Sequence, residues 1–271
     1  MKIMVIDRDR GAIEEIKQIC GDIPDVDLVI EPIKNNALDA LRAEKYDAVF
    51  FDPAPQNELR PFVIGARRGI SHYNPIVVLS HQLDQNTVRS QGANDVLPKP
   101  FDATSFKKRL ENMRNLNMLI ARLEDDSIDF PSKDGVISKS AFYQIFISCL
   151  DRADRYGEET YLTFSSIANI DEITAEHGAD IANEVCENLK KYTMRIRRLS
   201  DIAGRTAPEE ICLMLSRPAN AEEPKMAISR FAESMAEYAE LIPVGDAKPV
   251  IRVTMLAIPT GEVTFEKDFT S

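Results

Sequence analysis

The chain has 271 residues, 44% hydrophobic and 28% charged, with no Trp. Against 44 acidic residues stand 33 basic ones, a net charge of -11, and the acidic excess is concentrated after Asp125. This is the composition of a globular protein of two domains, and it argues against whole-chain affinity for nucleic acid or an anionic membrane. Met1 runs directly into an apolar strand pattern, so no secretory leader is expected. No apolar run approaches the roughly 20 residues of a membrane span. Cys20, Cys149, Cys186 and Cys212 lie far apart, without CxxC spacing or a nearby His. That pattern favours reduced thiols packed inside a cytoplasmic protein over a zinc site or a disulfide framework.

In chain order, short apolar runs at Ile3–Ile6, Asp27–Ile30, Ala48–Phe51, Ile76–Leu79 and Asp95–Leu97 alternate with helical patterns. Ile13, Ile16 and Ile19 repeat at helical spacing, as do Ala37, Leu38 and Leu41. Five successive β–α units predict a parallel sheet covered on both faces. In such folds functional groups collect at the carboxyl ends of the strands. Asp7, Asp52, Ser80 and Lys99 stand there.

From Ala103 a helical pattern persists to about Glu124. Phe106, Leu110, Met113, Asn117, Ile120 and Leu123 approach an a/d seam, with Leu116 and Leu119 beside it. The seam predicts a helical stalk and a parallel homodimer. The acidic, Pro-containing stretch Glu124–Gly135 reads as a linker.

The remainder predicts a helix near Ser140–Tyr156, a strand at Tyr161–Ser166, and helices at Glu172–Glu176 and Ala179–Arg195. A hairpin near Ala207–Glu210, a helix near Ala221–Leu241 and a strand at Val250–Ile258 follow. Strands separated by helix pairs around a hairpin suggest an α+β sheet with antiparallel pairs.

Four landmarks carry a family resemblance in the first part: Val5-Ile6-Asp7, Asp52 after Ala-Val-Phe-Phe, Ser80 after Val-Val-Leu, and Lys99-Pro100. Residues 1–104 resemble a response-regulator receiver domain, which implies the flavodoxin-like (βα)5 fold. The resemblance implies that Asp52 accepts a phosphoryl group from a histidine kinase. It implies too that Ser80 and Lys99 contact the phosphoryl oxygens, and that Lys99-Pro100 is a cis peptide. The family places two adjacent acidic residues after its first strand to hold Mg²⁺. Here Asp7 is followed by Arg8, which cannot ligate a cation, so Asp7 remains as a lone, weak Mg²⁺ ligand. Arg8 is expected to take the metal's place and pair with Asp52. Pro53 removes a backbone N–H beside the phosphoryl position. A phosphorylated switch and a receiver fold kept as a dimerisation platform both remain open.

The segment Arg198-Leu-Ser-Asp201, five residues, then Ala207-Pro208-Glu209-Glu210-Ile211 and an apolar strand carries a second resemblance. Residues 134–271 resemble a GGDEF domain, the α+β nucleotidyl cyclase-like fold of diguanylate cyclases; residues 105–133 form the stalk and linker between. The family's two glycines fall on Ala207 and Pro208, and its metal-binding Asp falls on Ser166. Its guanine-contacting Asn and Asp fall on Thr174 and Asn183. Of the metal carboxylates only the Glu209 side persists. The resemblance therefore implies that cyclase chemistry is lost, with no catalytic residue, no metal and no required cofactor.

Arg198 and Asp201 match the family's inhibitory site for cyclic di-GMP. An Arg fork suits guanine O6 and N7 or a phosphate, and a carboxylate accepts from the guanine N1–H and amino group. Arg195 or Arg230 would complete the site. The basic run Lys190–Arg198 surrounds it in an otherwise acidic half. The same pair also suits an ordinary surface salt bridge at a helix end. The leading expectation is a non-catalytic signalling protein that binds cyclic di-GMP and relays it through a dimer or a protein partner. The alternative is a protein-interaction scaffold, phosphorylation-controlled or constitutive, without nucleotide binding.

Overall fold

A computed structural model of the chain describes residues 1–67, 72–216 and 218–270. The chain divides into two units. The first comprises Met1–Leu119, Leu150–Glu158 and Pro259–Gly261; the second comprises Ile120–Cys149, Glu159–Ile258 and Glu262–Ser271.

The first unit alternates strands and helices: β1 (Lys2–Ile6), α1 (Arg10–Gly21), β2 (Asp27–Ile30), α2 (Lys34–Ala43) and β3 (Ala48–Phe51). Then come α3 (Arg60–Arg67), β4 (Ile76–Ser80), α4 (Gln85–Ser90), β5 (Asp95–Pro98) and α5 (Ala103–Glu124). Every strand pairing is parallel, and the sheet order is β2-β1-β3-β4-β5. That is the flavodoxin-like, doubly wound order. Alternate side chains supply the two faces, as the pleat requires. Met4, Ile6, Val49, Phe51 and Val78 pack with residues of α2 and α3, whereas Ile3, Val5, Phe50, Val77 and Leu79 pack with α1 and α5. The order reverses between β1 and β3, so Asp7 and Asp52 emerge side by side at the strand ends where such sheets place ligands.

The apolar stripe expected to pair two copies is buried along α5. Phe106, Leu110, Met113, Leu116, Leu119, Ile120 and Leu123 are all buried, none more than 9% exposed. Phe106 also stacks on Phe50 with ring centroids 4.6 Å apart. That burial takes away the packing motive on which the dimer was expected there.

The second unit holds β6 (Val136–Ile137), the first part of α6 (Lys139–Tyr156), β7 (Thr160–Ile167), α7 (Ile170–His177), α8 (Ala179–Ile196) and β8 (Ile202–Ala207). It continues with β9 (Glu210–Ser216), α9 (Glu223–Tyr238), a 3-10 turn at Ala239–Leu241, β10 (Val250–Ile258) and β11 (Glu262–Thr270). The sheet order is β11-β10-β7-β9-β8-β6, antiparallel except for β6 with β8. Val185 and Leu189 of α8 and Ile228 and Met235 of α9 share one core with Ile251, Val253 and Met255 of β10. Gly204 of β8 admits α6: a Cβ there would lie 2.4 Å from the Phe142 ring. The mixed, mostly antiparallel sheet agrees with the α+β expectation. All four cysteines are free and buried. Among the described residues no helix is long and apolar enough to cross a membrane.

Candidate functional site

In the first unit, Asp7, Asp52 and Lys99 meet at the carboxyl ends of β1, β3 and β5. Lys99 Nζ donates to Asp7 Oδ2 at 2.6 Å and also to Asp52 Oδ2. The side chains of Lys99 and Asp7 are only 3% and 1% exposed, which makes this a buried charge triad rather than a surface pair. Burial opposes the ammonium, but its hydrogen bonds to Asp52 and Asp7 outweigh that effect and raise the Lys99 pKa. The remaining carboxylate oxygens are also engaged. Asp7 Oδ1 accepts the Asp9 N–H at 2.8 Å, and Asp52 Oδ1 accepts the Ala54 N–H at 2.7 Å.

Arg8 does not take the expected place. It is exposed and forms no ion pair with Asp52 among the described residues. The strand register explains this: Asp7 follows the last residue of β1 toward the pocket, and Arg8 continues out into solvent before α1. Asp9 is spent as the N-cap of α1, accepting the N–H groups of Gly11 and Ala12. Ser80 is buried, and its Oγ accepts the N–H groups of Gln82 and Leu83 at 3.1 Å. His81 instead lines the cleft of about 410 Å³, along with Lys34, Arg8, Asp7, Asp52 and Lys99. Lys34 and His81 went unnoticed in the sequence, since neither sits in a motif. Lys99-Pro100 is cis, as expected. Asp7 and Asp52 both bridge to the Lys99 ammonium and Asp9 is turned to its helix, so a cation here would have to displace Lys99 from the two carboxylates.

In the second unit, Pro208 and Glu209 form the turn of the β8–β9 hairpin. Its carbonyls face a guanidinium: Arg205 donates to Pro208 O at 2.5 Å and to Ala207 O at 3.4 Å. Glu210 is 8% exposed and held by Thr206 Oγ1 at 2.5 Å and Arg122 Nη1 at 2.9 Å. Directly across from it on β7 stands Ser166, a hydroxyl where a metal site would need a carboxylate. Among the described residues no group of three or more His, Cys, Asp or Glu is placed to hold a metal ion.

Arg198 and Asp201 do come together, in the turn from α8 to β8. Asp201 Oδ2 accepts the Arg198 N–H at 3.3 Å, and Arg198 O accepts the Asp201 N–H at 3.1 Å. Arg197 clamps the turn by donating to the carbonyls of Arg198 and Asp201. Both Arg198 and Asp201 line a cavity of about 110 Å³ whose rim carries Arg230 and Ser234 of α9. Its floor is the sheet face formed by Thr163, Leu213, Leu215 and Met255. Burial pushes the Asp201 carboxyl up, against the lowering effect of its bond from Arg198. Asp201 Oδ1 is buried with no hydrogen-bond partner among the described residues. Arg195 lies off this cavity, over the Tyr238 ring at 5.4 Å. Helical geometry explains the difference: Arg195 sits on the α8 face turned to Tyr238, while Arg230 of α9 reaches the rim. Arg198 has a partner that the sequence did not signal, Glu223 at the start of α9, whose Oε1 accepts from Nη1 at 2.8 Å.

No family model matches the chain, and no curated protein matches it. Among solved structures it is similar to chemotaxis protein CheY4 of Vibrio cholerae, with 18% identity and a TM-score of 0.37 over 41% of this chain and 97% of that one. It is also similar to a response regulator from Thermotoga maritima, at 23% identity and a TM-score of 0.37 over 41% of this chain and 95% of the other. A response regulator receiver domain from Methylobacillus flagellatus gives 20% identity and a TM-score of 0.36, covering 42% of this chain and 98% of its own.

Proposed function

We propose that the chain is a non-catalytic signalling protein whose second unit binds cyclic di-GMP at Arg198 and Asp201, with Arg230 completing the site. The observation that carries this reading is the unpartnered, buried Oδ1 of Asp201 beside a cavity lined by Arg197, Arg198 and Arg230. A buried carboxylate oxygen without a donor is costly, and a ligand supplying N–H groups removes that cost. Guanine offers its N1–H and amino group on one edge, which matches a carboxylate, while its O6 and N7 or a phosphate match a guanidinium. Cyclase chemistry is proposed to be lost, because Ser166 and the Arg205-spanned Pro208 turn replace the groups that would hold metal and triphosphate. Asp52 stands at the phosphoacceptor position of the resemblance but is proposed to be a poor acceptor while Lys99 bridges it to Asp7, and the output is proposed to pass through a protein partner.

The test is base selectivity. Titrated into the protein, cyclic di-GMP should bind while cyclic di-AMP, whose adenine edge lacks the paired donors, should not. Equal binding of both, or of neither, would overturn the reading. A second reading, a protein-interaction scaffold without nucleotide, is favoured by one observation: Arg198 already has an internal counter-charge in Glu223.

A further inference from the structure

We infer that Glu223 is an internal competitor for the ligand site, a carboxylate that occupies the Arg198 fork until an anionic ligand displaces it. This inference rests on the proposed binding of cyclic di-GMP at Arg198 and Asp201, and it adds how that site is regulated.

Glu223 sits in the first turn of α9, where its negative charge is favourable whether or not Arg198 is near. Its Oε2 accepts the Ala219 N–H at 2.6 Å, and its Oε1 accepts from Arg198 Nη1 at 2.8 Å. The Ala219 N–H, first, and then the Arg198 bond hold the Glu223 carboxyl below the usual range, so it is charged at neutral pH. The two oxygens thus have different duties: one fixes the loop before α9, the other covers Arg198. A phosphate arriving at Arg198 would meet this like charge and would have to take over the same guanidinium donor. Arg230 has no ion-pair partner among the described residues, so it is available to receive the ligand while Arg198 is still covered.

The pair is partly exposed, 39% at Arg198 and 24% at Glu223, and exposed pairs are readily exchanged for a better partner. An internal competitor of this kind raises the ligand concentration needed for binding without changing the contacts made once bound.

The experiment is calorimetric titration of cyclic di-GMP into the parent, Glu223→Gln and Arg198→Ala proteins. Gln keeps an acceptor for the Ala219 N–H but loses the charge, so the loop is retained. Glu223→Gln should bind more tightly, by up to about fivefold, the scale of an exposed pair released. Parent-like or weaker binding by Glu223→Gln, with binding lost in Arg198→Ala, would overturn the competitor and leave the ligand reading intact. No binding by either the parent or Glu223→Gln to high micromolar would overturn both.

Discussion

Lys99 donates to Asp7 from a side chain that is 3% exposed, and the same ammonium bridges to Asp52. Removing it would leave two neighbouring carboxylates buried without their counter-charge. Lys99→Met should therefore lose about 3–5 kcal/mol of stability at neutral pH, read by urea unfolding. In the parent, a raised Lys99 pKa means that the stabilisation holds below the ordinary lysine value of 10.5 and fades as pH rises through the folded value. In Lys99→Met the penalty should shrink as pH falls toward 4, because protonating one carboxylate ends the repulsion between the pair. A pH-independent deficit would contradict the triad.

The same geometry bears on phosphorylation of Asp52. With Asp9 capping α1 and Asp7 held by Lys99, little acyl-phosphate should form with a small-molecule phosphodonor and Mg²⁺, measured by intact mass. Arg8→Asp, which restores a second carboxylate beside Asp7, should raise the yield. Near-stoichiometric labelling of the parent would show that the pocket supports the metal after all.

The α5 stripe makes a packing prediction. Leu116 is fully buried, so Leu116→Ala should cost about 2–5 kcal/mol in urea unfolding. Met118 is 64% exposed, and its replacement by Ala should change stability by no more than about 0.5 kcal/mol. Similar effects at the two positions would mean that the stripe is not packed as described.

Under the proposed loss of cyclase chemistry, placing an acid at Ser166 should not create that chemistry. Ser166→Asp would set a carboxylate opposite Glu210 on the neighbouring strand, a like-charge pair that destabilises the sheet. The expected result is a lower melting midpoint and no cyclic di-GMP formed from GTP and Mg²⁺. Turnover by this single variant would show that the Pro208 turn still cradles triphosphate.

What the residues disclosed depended on how each element is buried. β1, β3 and β4 were legible because strands covered on both faces must be continuously apolar. β11 was missed because it is a sheet edge: Glu262, Lys267 and Asp268 leave an irregular pattern with most positions outside the core. The two residues of β6 are too few for any period. The α5 stripe was correctly read as apolar, but spacing alone cannot tell a partner helix from the chain's own core. Asp7, Asp52 and Lys99 were found because they follow strands directly. Arg230 and Glu223 were harder, since the fold brings α9 to the α8–β8 turn from 22 or more residues away. Arg195, nearer in sequence, sits on another face of its helix.

The central claim is that cyclic di-GMP binds at Arg198 and Asp201, and titration of that nucleotide into parent and Arg198→Ala proteins tests it most directly. The parent should bind, and Arg198→Ala should bind roughly 30- to 1,000-fold more weakly, as expected for the loss of a charge-assisted donor to a buried partner. Because burial raises the Asp201 carboxyl and the ligand needs it ionised, complex formation at pH just above the ordinary Asp value of 3.8 should release protons. Equal affinity in parent and Arg198→Ala, or no binding in either, would contradict the account.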